Sequence, residues 1–310
     1  MDAIVIQGLT KLYGSRVGCQ DVDLEVPAGR VFGFLGPNGA GKSTLVKMLV
    51  GLIRPTRGKA WIMGRPLDDV RVRRRIGYLP ENFRYQDWLT GTELLSFHAA
   101  LCGVRPAQRK QRVTEALDLV GLAGRGHQRL RAYSKGMQQR IGVACALIGN
   151  PDLIFLDEPT SALDPLGRRE MRQLILDLRG QGKTVFLNSH LLGEVEAVCE
   201  RVAIIDKGRI VAQGSLGELL APRVEVEMDI EGLTPELEDA LTCQATASRR
   251  EGARLVMTMA SHDEIPGLAE TVIAHGARLH SLIPRQRSLE ELFVDVVRSG
   301  PNRSAGPNRA

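Results

Sequence analysis

Eight consecutive residues constrain this chain more than any other feature: Gly36-Pro-Asn-Gly-Ala-Gly41-Lys42-Ser43 fits the pattern G-x-x-x-x-G-K-[ST]. The pattern is informative only between a buried strand and a helix, and both flanks are present. Val31, Phe32, Phe34 and Leu35 form an apolar run before it, and Leu45 to Val50 read as helix after it. Glycines let the backbone curl so that N–H groups point inward at phosphate oxygens, and the helix start adds partial positive charge. Gly36, Pro37, Asn38, Gly39, Ala40 and Gly41 supply that cradle. Lys42 is placed to neutralise β- and γ-phosphates, Ser43 to offer its hydroxyl to Mg²⁺, and Thr44 to extend the contact. The expectation is a site for ATP; a Gly-rich turn with a surface lysine would not show both flanks.

At 310 residues the chain is longer than one typical domain, so two parts are expected. Its 43% hydrophobic and 25% charged residues predict a water-soluble folded body. A formal charge of +5 is too modest to argue for nucleic acid, and none is expected as a partner. The basic run Arg71, Arg73, Arg74 and Arg75 lacks interleaved aromatics and reads as a solvated face. Cys19, Cys102, Cys145, Cys199 and Cys243 are dispersed and form no CxxC pair, which argues against a disulfide framework or a zinc site and fits a reducing cytosol. No signal peptide and no spanning stretch is read, so a membrane role requires a partner.

From Ile4 to about Leu220, short β-rich runs alternate with helix-like ones, predicting an α/β core with a largely parallel sheet. Val22, Leu24 and Val26 alternate with charged residues as a half-buried strand. Thr184 to Leu187 and Val202 to Ile205 read as buried strands. From about Asp87 to Ala132, Leu94, Leu95, Phe97 and Leu101, then Val113, Leu117 and Val120, recur at helical spacing. This predicts an inserted helical subdomain, about 87–150. Near Pro222 the character changes: Val224, Val226, Met228 and Ile230 alternate with Glu225, Glu227 and Asp229, a strand with one wet face. Further strands are expected over Leu255 to Met259 and Leu279 to Ile283, giving a small α+β domain over 221–298. Ser288 and Glu291 have capping-box spacing ahead of a final helix with Leu289, Leu292, Phe293 and Val296. The tail, 299–310, lacks large apolar residues and is expected to be disordered.

The run Leu153 to Leu156 is a buried strand ending in Asp157 and Glu158. Alone, such a pair is an ordinary strand terminus. Beside a phosphate loop it means more, because strand ends of open α/β sheets face the ligand crevice. Asp157 is placed to reach Mg²⁺ through water, and Glu158 to orient and deprotonate an attacking water. His190 follows the strand-like Thr184 to Ser189 and is expected at another strand end, where a polar group can hold charge near the γ-phosphate.

Across about 1–220 the combination resembles the ATP-binding cassette (ABC) ATPases. Tyr133-Ser134-Lys135-Gly136-Met137-Gln138-Gln139-Arg140 looks like that family's signature segment, with Ser134 and Gly136 keeping the hydroxyl and the small position. The resemblance implies that the helix behind it serves a partner subunit's ATP. It further implies a D-loop at Ser161 to Asp164, a switch histidine at His190, and an adenine-stacking aromatic at Tyr13. The implied fold is a P-loop ABC ATPase core with an inserted helical subdomain, followed by the small α+β domain.

Two departures stand out. Glu81 ends the Ile76 to Pro80 run where the family usually has a glutamine that touches Mg²⁺ and water; a carboxylate still ligands Mg²⁺ but adds negative charge near the γ-phosphate. Lys135 and Met137 replace a glycine and a glutamine in the signature, and Lys135 is read as facing solvent. The resemblance implies two ATP molecules between two subunits, the second being another copy or a homologous ATPase subunit. Gly77-Tyr-Leu-Pro-Glu81, Tyr133 to Met137 and the Ser288-Leu-Glu-Glu-Leu-Phe helix resemble the ATP-binding subunits of ABC-2-type exporters and relatives serving copper-enzyme maturation. Separate transmembrane permease chains and peripheral attachment at the cytoplasmic face of the membrane are then implied. The competing expectation is a soluble, non-transport ABC ATPase acting on a macromolecular complex.

Overall fold

The computed structural model describes residues 2–220, 224–251, 254–285 and 288–299. It divides into two compact units, Met1–Ser215 together with the chain from Val296, and Leu216–Asp295. In chain order the first unit begins with β1 (Asp2–Tyr13), β2 (Arg16–Pro27) and β3 (Val31–Leu35), then α1 (Lys42–Leu49), β4 (Arg57–Ile62), β5 (Arg65–Pro66) and β6 (Ile76–Leu79). Three helices follow, α2 (Gly91–Leu101), α3 (Pro106–Leu119) and α4 (Lys135–Leu147). The unit continues through β7 (Leu153–Asp157), α5 (Pro165–Gly180), β8 (Thr184–Asn188), α6 (Leu192–Val198), β9 (Arg201–Asp206) and β10 (Arg209–Ser215).

Two sheets carry this unit. One is antiparallel, in the order β2-β1-β4-β5; the other runs β10-β9-β3-β8-β7-β6, parallel except for the edge strand β10. The antiparallel sheet is an addition to the largely parallel core expected from sequence. Strands β3, β7 and β8 are buried at every residue, as strands covered on both faces must be. Phe186 packs against Phe32, Phe34 and Phe155 with ring centroids 5.2–5.6 Å apart. Each such buried side chain contributes roughly 1.5–3 kcal/mol. Their rigidity matters for function, because β6, β7, β8 and β3 all run the same way and deliver their C-terminal ends to one edge.

The helical stretch is present as α2, α3 and α4. Thr90 starts α2 with a reciprocal capping box to Glu93. Its buried stripe is Gly91, Leu94, Leu95 and Ala99, whereas Phe97 and Leu101 face outward, 57% and 68% exposed. Helical spacing alone did not separate the two faces. Val113, Leu117 and Val120 are buried as their period predicts. The arginine run 71–75 lies in a short 3₁₀ turn with Arg71, Arg73, Arg74 and Arg75 exposed and only Val72 buried.

The second unit holds α7 (Leu216–Leu220), β11 (Val224–Glu231), α8 (Pro235–Thr242), β12 (Ala247–Glu251), β13 (Arg254–Met259), α9 (Ile265–Ala274), β14 (Arg278–Arg285) and, up to Asp295, the first part of α10 (Leu289–Ser299). The sequence reading closes the first domain near 220, so α7 falls on the other side of the division. Strands pair antiparallel in the order β12-β13-β11-β14, one strand more than the three expected. Strand β12, Ala247–Glu251, shows no apolar alternation. Val226, Met228 and Ile230 enter the core as predicted. Glu227, expected on the wet face, is buried: Arg254 donates to it at 2.5 Å, and Arg285 also pairs with it. Two long side chains from the neighbouring strands thus cover that carboxylate. Ser288 and Glu291 form the expected reciprocal cap of α10. Ser299 is helical rather than tail; the rest of the tail lies outside the described residues.

Candidate functional site

Close packing fixes the glycines of the phosphate loop. A Cβ on Gly36 would sit 2.3 Å from the Ile205 carbonyl oxygen, and one on Gly41 would sit 2.3 Å from that of Gly18. Gly41 also has φ 109, where side-chain-bearing residues are strained. Both glycines are therefore required by the chain's own packing. The loop is tied down where Gly208 N donates to the Ala40 carbonyl at 2.8 Å and Ala40 N donates to that of Pro37 at 3.1 Å. Lys42 and Ser43 then open α1, whose first amides have no intrahelical acceptor.

Lys42 Nζ donates back to the Gly36 carbonyl at 2.5 Å and to that of Pro37 at 3.2 Å. Burial pulls its pKa down, and the negative charges of Glu158, Asp157 and Glu81 oppose that pull. An anion delivered to the loop would find this cation already in place.

Around the loop opens a cavity of about 880 Å³, within the range of small-molecule sites. Tyr13, Asn38, Gly39, Gly41, Lys42, Ser43, Thr44, Glu81, Glu158 and His190, each a candidate from sequence, line it. Gly36, Pro37 and Ala40 form the loop behind, and Asp157 lies beneath, 3% exposed. Tyr13, at the end of β1, is 48% exposed, with Lys11 Nζ 5.2 Å from its ring centre. Such a half-free ring is available for stacking.

Glu158 follows the last residue of β7 with φ 55, an uncommon backbone state for a non-glycine. Contacts from three residues hold it there. Its N–H donates to the Asn188 carbonyl at 2.8 Å, and its own carbonyl accepts from Gln139 Nε2 and Ser161 Oγ, each at 3.1 Å. Gln139 belongs to α4, so the helix behind the signature segment directly braces this carboxylate's backbone. His190 Nδ1 lies 2.7 Å from Glu158 Oε2, with the imidazole 56% exposed.

Asp157 lies opposite Asn188 in the parallel β7–β8 register, and Asn188 Nδ2 donates to its Oδ1 at 2.5 Å. Burial pushes its pKa up from 3.8 to about 6; the Asn188 bond opposes the rise, and the nearby Glu81 and Glu158 charges add to it. The folded state therefore binds the Asp157 proton more tightly than the unfolded state, so the penalty grows as pH rises from about 4 to 6 and is complete above 6. A rise of that size is worth about 3 kcal/mol. Asp157→Asn keeps an acceptor for Asn188, so the variant is expected to melt higher than the parent at pH 8, with the gap closing at pH 4. Thermal melts at the two pH values check this; an equal gap at both would refute it.

A buried, unneutralised carboxylate of this kind fits a nucleotide-borne magnesium. The described residues include no group of three or more His, Cys, Asp or Glu able to hold a metal by themselves. Mg²⁺ needs none, since it keeps water and substrate phosphate among its ligands. Ser43, Asp157 and Glu81 are the residues of this chain that would serve it.

Ser134, Gly136 and Asp164 are not among the residues lining this cavity. Ser134 caps α4 by accepting from Met137 N at 3.2 Å, and Asp164 caps α5 by accepting from Gly167 N at 2.7 Å. Ser134 and Lys135 are exposed. A Cβ on Gly136 would meet nothing closer than Leu163 Cδ2 at 3.5 Å, an ordinary contact. Unlike Gly36 and Gly41, this glycine is not demanded by the chain's own packing.

Sequence reading missed Arg16, Val17, Gly18, Ser161 and Asn188 among the lining residues. Arg16 sits just past Tyr13 across the β1–β2 hairpin turn. Asn188 carried a weak signal, as the polar end of an otherwise apolar strand next to His190.

Comparison with known proteins agrees with this geometry. Residues 19–161 match the family described as ABC transporter. An ABC transporter ATP-binding protein of Nostoc sp. (strain PCC 7120 / SAG 25.82 / UTEX 2576) is 43% identical over 285 residues, 91% of this chain and 83% of that one. The Nod factor export ATP-binding protein I of Cupriavidus metallidurans (strain ATCC 43123 / DSM 2839 / NBRC 102507 / CH34) is 34% identical over 303 residues, 96% of this chain and 98% of that one. Among solved structures, an ATP-binding cassette in a dimeric post-hydrolysis state with ADP and Pi matches with TM-score 0.64 and 27% identity, over 69% of this chain and 98% of that one. The phosphate loop, the strand-end carboxylates and these likenesses together place the chain in the ABC transporter family of ATP-binding proteins, as an ABC-type ATP hydrolase.

Proposed function

We propose that the chain energises a separate membrane permease, of the ABC-2 exporter kind, through ATP-driven closure of two ATPase subunits. The observation that carries the reading is the start of α4. Ser134 is exposed and Gly136 half-buried at the N-terminus of α4, and a Cβ on Gly136 would make only ordinary contacts, the nearest to Leu163 Cδ2 at 3.5 Å. Such a surface suits the γ-phosphate of an ATP held by a second copy or a homologous subunit. ATP then bridges two chains, and its hydrolysis removes the bridge.

Within each site, Lys42 and the loop amides bind the phosphates, and Tyr13 stacks on the base. Glu158 takes a proton from the attacking water, and His190, held on Glu158, stabilises charge at the γ-phosphate. Mg²⁺, when bound, would supply positive charge to offset that of the phosphates. Ser43, Asp157 and Glu81 would hold it, and the carboxylate of Glu81 in place of an amide is expected to slow turnover.

Among the described residues no helix is long and apolar enough to cross a membrane, so peripheral attachment at the cytoplasmic face through permease chains completes the reading. The export direction is supported by the Nod factor relative named above. Purification of the tagged chain from detergent-solubilised membranes should bring down a six-helix hydrophobic protein. Recovery with ribosomes or DNA instead would favour a soluble, non-transport ABC ATPase. Because the site is completed by a second subunit, specific ATPase activity should rise with protein concentration. Dilution-independent activity of a monomer would overturn the composite site.

A further inference from the structure

Asn188 holds two chemically distinct atoms at the end of β8, and only one of them is used. The side chain is 2% exposed. Its Nδ2 donates to Asp157 Oδ1 at 2.5 Å, and the amide cannot be turned round, since that would set oxygen against carboxylate oxygen. Its Oδ1 is buried with no hydrogen-bond partner. Leaving a buried amide acceptor unpaired costs stability. The residue also lines the nucleotide cavity beside Glu158, Lys42 and Ser43.

Resting on the nucleotide-site reading above, we propose that Asn188 is a positioning residue for the divalent cation that accompanies ATP. Its amide nitrogen fixes the Asp157 carboxylate toward the cation, and its free oxygen accepts a hydrogen bond from a water of the cation's shell. The orphaned acceptor is then a place kept for that water. The assignment explains why an amide, with a donor and an acceptor on opposite arms, stands between the strand-end carboxylates and the phosphate loop. It reaches the reaction only through Asp157 and water, so it touches neither phosphate nor the attacking group.

The test is ATP binding by the full chain, measured calorimetrically with excess EDTA and then across a Mg²⁺ titration. Loss of such an outer partner typically lowers metal affinity by tenfold or more, so Asn188→Ala should raise the Mg²⁺ concentration for half-maximal effect by about tenfold. Its ATP affinity in EDTA should change far less than its Mg²⁺ midpoint, since the proposed contact is to the cation's water. Asn188→Ser, which restores a donor and an acceptor on a shorter arm, should fall between the two, and it carries the test if the alanine variant does not fold. An unchanged Mg²⁺ midpoint in the variants, or an equal loss of affinity with and without Mg²⁺, would overturn the proposal. Failure of the parent chain to bind ATP under either condition would instead strike the nucleotide-site reading itself.

Discussion

Glu158→Gln is expected to bind ATP, to form an ATP-dependent dimer that persists, and to lose at least about a hundredfold of the hydrolysis rate. The substitution keeps the shape of the side chain and removes its basicity. Gln at 158 can still meet His190 Nδ1, which lies 2.7 Å from Glu158 Oε2, so the neighbouring imidazole keeps its place. The unusual backbone is held by Asn188, Gln139 and Ser161, none of which bonds to the side chain being changed. What disappears is a carboxylate able to take a proton from water at the mouth of the phosphate loop. Phosphate release together with size-exclusion chromatography in ATP reads both halves of the expectation. Near-parental turnover would remove Glu158 from the role of general base.

Gly136→Asp separates the site within one chain from the site between two. The position lies in the first turn of α4 at an ordinary helical φ, and a Cβ there has room, with 3.5 Å to its nearest neighbour. A carboxylate at a helix start is itself favourable, by about 0.3–1 kcal/mol, so the monomer should melt no lower than the parent. Its own ATP site should be intact, because Gly136 is not part of the cavity lining. Against a partner's γ-phosphate, however, the new charge is repulsive and desolvated. Like charges set together at an interface cost several kcal/mol, so ATPase activity should fall by about a hundredfold or more and ATP-driven dimerisation should vanish. Unimpaired activity in a folded Gly136→Asp chain would place the signature segment outside the active site.

The parts of this molecule that were legible in its sequence are those governed by neighbours in sequence. The phosphate loop, the strand before it and the Ser288 cap each depend on a few consecutive residues, and each is found where its pattern put it. Asp157, Glu158 and His190 were recognisable because they end apolar runs, and strand ends in one parallel sheet share an edge. What was hidden depends on register across strands. Asn188 faces Asp157 only because β7 and β8 align residue for residue, and Glu227 is buried only because Arg254 and Arg285 arrive from strands on either side. Phe97 and Leu101 misled for a related reason, since an apolar period on α2 does not say which face meets α3 and α4.

The freedom around Gly136 has a consequence for how damage to this chain would be noticed. At Gly36 and Gly41 an added side chain strikes backbone, so lesions there would reduce soluble yield along with activity. At Gly136 an added Cβ makes only ordinary contacts, the nearest to Leu163 Cδ2 at 3.5 Å. A library sorted by expression or melting temperature would accept an acidic residue at that position and report it as tolerant, while a sort on ATP hydrolysis would reject the same clones. Fitness maps made by the two methods should therefore diverge most at the start of α4, and the divergence itself would outline the surface of the proposed subunit contact.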